Sequence, residues 1–514
     1  MSLALDGLPN EIISAIFAYL DGEQATLLAI CRVSRYFYSL ITPLLHRVIK
    51  QRENGPHDHR RNPLLLRSLL FNPALGSHVV EVQLTAPTPP CEDVGCFSEE
   101  EWVLVRAQVA RLYETGFFTE ELYSTSILNP TDLRDGNGSE ESWNKNVRDG
   151  QWDAVFCLML YCCPRLEKLQ GFQWDKWDGV GPLYPRFNFF AFFMSGVALS
   201  KTPERLHILP KVVSDPVLPR YHNAHLSHKT RGSGRPILLQ SVLPFLFSPA
   251  IELVRVDPKI EGSGTQRHRF WGDRQFFFKK LVIKKSIIAA DTLRYLLKSS
   301  SVLEEFVLEY GIEDEKQSMF SNMQRMVYDQ GPLLGGLLRS RKSLTRLELA
   351  RGFYSLYDRN LSHIDQTLGS LVEFEVLTRL AVKLEFLIWQ GNPDGESSLC
   401  DLMPRSLEFL SIATEDAPPG PDLSLFESTV LRKEIVLLRN IRHFEELVLK
   451  KGSVVPNLRH LVLDGVQREA ADNSALRVLK QACMTNNVQL SIVLYHTYYV
   501  VPGVLEMGST KVNF

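Results

Sequence analysis

Residues 343–350 read Ser-Leu-Thr-Arg-Leu-Glu-Leu-Ala, with apolar side chains at 344, 347 and 349. The closing alternation is that of a β-strand with one face buried, because strand side chains point alternately to opposite sides. The same phrase recurs at Val79/Val82/Leu84, Ile251/Val254/Val256, Phe278/Leu281/Ile283, Leu303/Phe306/Leu308, Leu377/Leu380/Val382, Leu407/Leu410/Ile412 and Leu458/Leu461/Leu463, with weaker versions at Leu166/Leu169 and Leu206/Ile208. Successive phrases begin 25 residues apart at 278 and 303, 33 apart at 344 and 377, and 30 apart at 377 and 407. Such periods accommodate a strand, a turn and a returning helix, the signature of a leucine-rich-repeat-like solenoid. Residues 291–299 and 333–340 have the helical character needed to cover the strands. A further phrase at Phe444/Leu447/Leu449 starts only 14 residues before 458, too few for a strand and a return helix, so 434–450 is expected to be helical. The last repeat is expected to close with a helix at 474–484 and a strand at 488–494.

Length and charge bound the function. A chain of 514 residues exceeds one ordinary core, so several domains or a repeat array is expected. A formal net charge of −2 and a charged fraction of 23% carry no bias toward nucleic acid or an acidic membrane. The most hydrophobic stretch, 187–199, is shorter than the about 20 residues that span a bilayer, and is expected to be a buried helix. The N-terminus reaches Asp6 and Glu11 without a basic segment, unlike a signal peptide. A soluble protein of the cytoplasm or nucleus is expected. None of the eight cysteines pairs at C-x-x-C spacing, so buried, reduced thiols are expected rather than zinc ligands.

The first fifty residues carry more apolar surface than a small bundle buries. Pro9 suits a helix start and Glu11 the positive end of its dipole. Ile12, Ile13, Ile16, Phe17 and Leu20 recur at helical spacing, and Ala15 and Tyr19 widen the stripe. After Asp21-Gly22 a second helix is expected at 23–32. Ser34 offers an N-cap for a third at 35–41, before Pro43. The surplus apolar face of so small a unit points to a partner.

Leu8-Pro9-x-Glu11-Ile12-Ile13, Ile16-Phe17-x-Tyr19-Leu20 and Val33-Ser34-Arg35-x-Phe37-x-x-Leu40 resemble an F-box. The resemblance implies docking on the Skp-family adaptor of a cullin-RING (SCF) ubiquitin ligase. The positions matching the family's adaptor-facing residues are Leu8, Pro9, Ile12, Ile16, Leu20, Leu27 and Cys31. His46 stands where the family often has Trp or Tyr. Residues 64–500, with phrases such as Arg405-Ser-Leu-Glu-Phe-Leu-Ser-Ile412 and uneven periods, resemble the fungal F-box proteins with irregular leucine-rich repeats. The consensus asparagine that follows each strand in such repeats is missing: Lys259, Ser286, Gly311, Gly352, Glu385, Glu415 and Val466 occupy its place.

The expected fold is therefore α/β, a three-helix F-box at 1–50 followed by a degenerate leucine-rich-repeat-like solenoid at 51–500, with a tail at 501–514. A helical and loop insertion is expected at about 85–150. There Ser98-Glu-Glu-Glu leads into an amphipathic helix through Trp102, Val105, Val109 and Leu112, while 132–150 is polar and expected to be a loop.

No local spacing betrays catalysis. His222, His225 and His228 lie in a stretch expected to be irregular, where three rings would not converge on a metal. Gly331-Pro-Leu-Leu-Gly-Gly lacks the Gly-Lys-Ser/Thr of a phosphate loop, and neither G-x-S-x-G nor HExxH occurs. The basic and aromatic stretch 259–285 is expected to be a solvated loop and strand rather than a nucleic-acid surface. No cofactor, metal or catalytic residue is expected. If the strands stack as proposed, Arg255, Lys280, Lys284, Glu305, Glu309, Arg346, Glu348, Arg379, Lys383 and His460 point to the open face and alternate in sign. That arrangement suits a protein target better than a small molecule. The expected role is a non-catalytic substrate receptor with adaptor, cullin and target protein as partners, and the alternative is an adaptor-bound scaffold acting without ubiquitination.

Overall fold

A computed structural model describes residues 8–20, 23–50, 61–83, 97–114, 139–149, 152–170, 223–227, 237–238, 252–257, 260–262, 276, 278–288, 290–300, 302–310, 331–351, 367–388, 398–413, 441–467, 474–500 and 504–513. The chain divides into two compact units, one made mainly of residues up to Arg235 and the other mainly of residues from Asp273 onward.

The first unit begins with helices α1 (Asn10–Ala18), α2 (Gln24–Cys31) and α3 (Arg35–Leu45). They enclose a small core of Ile13, Phe17, Leu27, Cys31 and Ile41, in which Phe17 meets Phe37 edge-on at 5.8 Å. The Pro9 carbonyl accepts from the Ile12 and Ile13 amides, and Ser34 Oγ caps α3 by accepting from the Phe37 amide at 3.2 Å. Pro43 does not end α3 as its sequence position suggests; it lies inside the last turn. The missing proline N–H costs one bond there. The turn survives because the His46 amide still reaches the Thr42 carbonyl and the Thr42 hydroxyl donates to the Tyr38 carbonyl.

Four parallel strands follow in this unit: β1 (Val48–Lys50), β2 (Glu81–Gln83), β3 (Lys168–Gln170) and β4 (Asn223–Ser227), each hydrogen-bonded to the next. The helix Glu99–Glu114 starts with a reciprocal cap: Ser98 Oγ accepts from the Glu101 amide, and the Ser98 amide donates to the Glu101 carboxylate at 2.7 Å. Its buried stripe is Trp102, Val105, Val109 and Leu112, as the sequence predicts. Two expectations in this unit are corrected. Part of the polar segment 132–150, expected as a loop, is the helix Glu140–Arg148. Ser139 caps it, Trp143 and Val147 one turn apart are fully buried, and Arg148 lies over the Trp102 ring at 5.7 Å. Two apolar anchors at i and i+4 outweigh a polar composition once a neighbouring helix covers them. His225, expected in an irregular stretch, lies in β4.

The second unit is built on a parallel sheet. Strand β5 (Ile237–Leu238) pairs with β7 (Ile260–Gly262), which pairs with β8 (Lys280–Ile288). Strand β6 (Leu253–Asp257), which carries the phrase that begins at Ile251, has residues 253–255 in the first unit and 256–257 in the second. From β8 the order is β9 (Glu305–Tyr310), β10 (Arg346–Arg351), β11 (Arg379–Lys383), β12 (Phe409–Ala413), β13 (His460–Gln467) and β14 (Gln489–Val500), all parallel neighbours. Within each strand from β8 to β13 the three apolar positions of the phrase are buried. Helices Ala290–Lys298 and Gly331–Leu337 fall between strands as expected. Residues 441–449 are helical, in agreement with the spacing argument against a strand there. Residues 504–513, expected to be a tail, form β15 (Val504–Asn513), antiparallel to β14. That pairing supplies backbone partners to one side of β14, which would otherwise be an open edge.

Side-chain donors recur just ahead of the apolar phrase. Ser343 Oγ donates to the Leu303 carbonyl at 2.9 Å, Ser406 Oγ to the Leu377 carbonyl at 2.9 Å, and Asn457 Nδ2 to the Arg405 carbonyl at 3.3 Å. Each donor immediately precedes the first apolar residue of its phrase. Thr345 and Thr378, one position past that residue, reach the carbonyls of Glu304 and Thr345. Side-chain donors thus tie successive strand starts together.

Candidate functional site

The helical bundle sorts the seven sequence-derived adaptor positions into three groups. Pro9, Ile12 and Ile16 are exposed, Ile12 at 50% and Ile16 at 41%. Leu8 and Leu20 are half-buried and pack against the bundle core. Leu27 and Cys31 are inside that core, at 1% and 8%, so their side chains pack the bundle instead of facing outward. Tyr19, at 92% the most exposed large apolar residue described, extends the row Pro9, Ile12, Ile16 at helical spacing. It was missing from the sequence-derived set although the same periodicity reveals it. Exposed apolar side chains at this density on a bundle of three short helices are the mark of a binding surface.

The second surface is the sheet face turned away from the phrase residues. Register places Lys280, Glu305, Arg346, Arg379, Phe409 and His460 side by side across six strands. Their side chains form a connected line. Lys280 Nζ contacts the Glu305 carboxylate at 2.5 Å, and Arg346 Nη1 reaches the same carboxylate at 3.6 Å. Arg346 Nε and Arg379 Nε both donate to Glu348 Oε1, at 2.9 and 3.1 Å, and Arg346 Nη2 lies 2.9 Å from the same oxygen. Arg379 then lies over Phe409, its guanidinium carbon 4.5 Å from the ring centroid, and Phe409 meets the His460 ring at 6.1 Å.

Arg255, Lys284 and Glu309 are half-buried, and a register irregularity after Ile283 takes Lys284 out of the regular ladder with β9. Glu309 stands beside Ala350, so sign alternation does not continue in its row. Lys383, expected on the open face, is 6% exposed. Alternation along a strand gives the side of the sheet and not what covers it. Lys383, Val462 and Ser491 all lie on the phrase-free side and are all buried.

No group of three or more His, Cys, Asp or Glu side chains among the described residues could hold a metal ion. The described cysteines are free. Burial pushes the Cys162 and Cys483 thiols up to about 12, and Cys163 is raised further by burial and by the neighbouring Cys162; such thiols are poor nucleophiles. Burial, and then the nearby His78, lowers the pKa of His46 at the end of α3. No described helix is long and apolar enough to cross a membrane.

A search among curated proteins finds none similar to this chain. Residues 5–52, the bundle that bears Pro9, Ile12, Ile16 and Tyr19 together with the strand that follows it, match the F-box-like family: the chain carries an F-box-like domain at its N-terminus.

Proposed function

We propose that this chain is the substrate-recognition subunit of an SCF-type cullin-RING ubiquitin ligase. The α1 face docks on a Skp-family adaptor, a cullin scaffold joins through that adaptor, and the later strands form an irregular leucine-rich-repeat-like solenoid that holds a target protein. The single observation that carries the reading is the outward row Pro9, Ile12, Ile16 and Tyr19 on a domain that matches the F-box-like family. F-box domains generally bind adaptors of the Skp family. The chain itself contributes no catalytic group and needs no cofactor; it raises the effective concentration of target lysines near a conjugating enzyme held by other subunits.

The test is adaptor capture by the full chain and by a Pro9→Ala/Ile12→Asp double variant. Capture by the first and loss in the second, with the cullin co-purifying, is the expected result. Equal capture by both, or none by either, would remove the adaptor dock from α1 and the ligase role with it.

A further inference from the structure

Three cations and two carboxylates make up the charged part of the line on the sheet face. Glu305 is shared by Lys280 and Arg346, and Glu348 is shared by Arg346 and Arg379. Arg346 directs Nη1 to one carboxylate and Nε and Nη2 to the other. Arg379 is different, because it commits only Nε and leaves Nη1 and Nη2 without a protein partner among the described residues. Its side chain is 46% exposed. The surplus positive charge of the line therefore ends on one guanidinium fork.

That fork is held in place. Nε is tied to Glu348 and the guanidinium plane is supported by Phe409, so little side-chain freedom is left to lose when the two terminal nitrogens take a ligand. On the far side of the same ring stands the exposed His460, whose ring nitrogens make no hydrogen bond within the described residues. Three adjacent strands thus present a planar double donor, an aromatic surface and an imidazole, in register at Arg379, Phe409 and His460.

We propose that this patch, in the target-holding role argued above and resting on that reading, grips an acidic segment of the target: Asp or Glu side chains in extended chain, unphosphorylated. Paired donors at fixed spacing match a carboxylate bidentately. Arg379 and His460 are two strands apart, about 10 Å, a distance that an extended segment covers in about three residues. A regular polyanion fits less well, because Glu305 and Glu348 lie along the same line and would face its charges beyond Arg379.

The experiment is fluorescence anisotropy of the full chain with three labelled twelve-residue peptides of Gly and Ser carrying four Glu, four Gln or four phosphoserines. The Glu peptide should bind, more weakly as salt rises, and the Gln peptide should not. Arg379→Ala should weaken binding at least tenfold, and Arg379→Lys, which keeps the charge and loses the fork, should fall between. Folding of each variant is checked by thermal melting and by adaptor capture. Binding of the phosphoserine peptide alone, equal binding by the Gln peptide, or an Arg379→Ala chain that binds like the original would overturn the proposal. Loss of adaptor capture in the original chain with peptide binding intact would instead remove the ligase reading and leave the acidic-segment site standing.

Discussion

Arg379 on β11 lies over the ring of Phe409, its register partner on β12, with the guanidinium carbon 4.5 Å from the ring centroid. Neither residue belongs to the apolar phrase that builds the sheet, so their contact can be altered without opening the core. A double-mutant cycle with Arg379→Met and Phe409→Leu, read by urea unfolding, should give a coupling of about 0.5–1 kcal/mol, as for a partly exposed cation over a ring. A coupling of zero would mean that the stacking does not position the fork.

Adjacent isoleucines on α1 should behave in opposite ways. Ile12 is half exposed and Ile13 is fully buried. Ile12→Asp should leave the melting curve close to the original and abolish adaptor capture, since truncation of a central apolar anchor costs about 2 kcal/mol or more of binding. Ile13→Ala should cost about 2–5 kcal/mol of bundle stability through the cavity it leaves. The pair separates binding from folding in one circular-dichroism and pull-down series.

Gly76 is required by close approach. A Cβ built there would come within 3.1 Å of the Cys162 carbonyl carbon and closer still to its oxygen. Backbone cannot swing aside as a side chain can. Gly76→Ala should therefore destabilise the first unit by about 1–3 kcal/mol, the usual cost of overpacking, whereas Gly452→Ala, with open space around its Cβ, should not. Thermal melting of the two variants checks this.

The buried thiols should be slow to label and should make stability fall at high pH. Cys162 and Cys483 are raised to about 12, above the about 8.5 of an unfolded thiol. The unfolded chain then loses these protons first. Their contribution is complete below about pH 8.5 and declines as pH rises from there toward 12. Maleimide labelling of native protein at pH 7.5 should spare Cys163 and Cys483, and unfolding free energy should decrease between pH 8.5 and 10. Rapid native labelling at these positions would contradict the burial.

What could be read in advance followed from local periodicity and from contacts close in sequence. The strand phrases at 278, 303, 344, 377, 407 and 458 all set strands with their apolar positions buried. The reciprocal cap of Ser98 and Glu101 and the N-cap at Ser34 join residues only three apart. The row Ile12, Ile16 is legible because a helix repeats every 3.6 residues. Leu27 and Cys31 were misplaced because a helix in a bundle has two apolar faces to distribute, and only packing against Ile13, Phe17 and Ile41 shows which side is inside.

By itself, then, the sequence determined the F-box-like opening, the strand positions and their buried side, since each depends on residues a few places apart. Tertiary structure alone decided that Trp143 anchors a helix, that Val504–Asn513 is a strand, that Lys383 is buried and that Arg379, Phe409 and His460 stand together. Those outcomes depend on which strand or helix lies beside which, and pairing between segments distant in the chain leaves no period in the sequence from which it could be read.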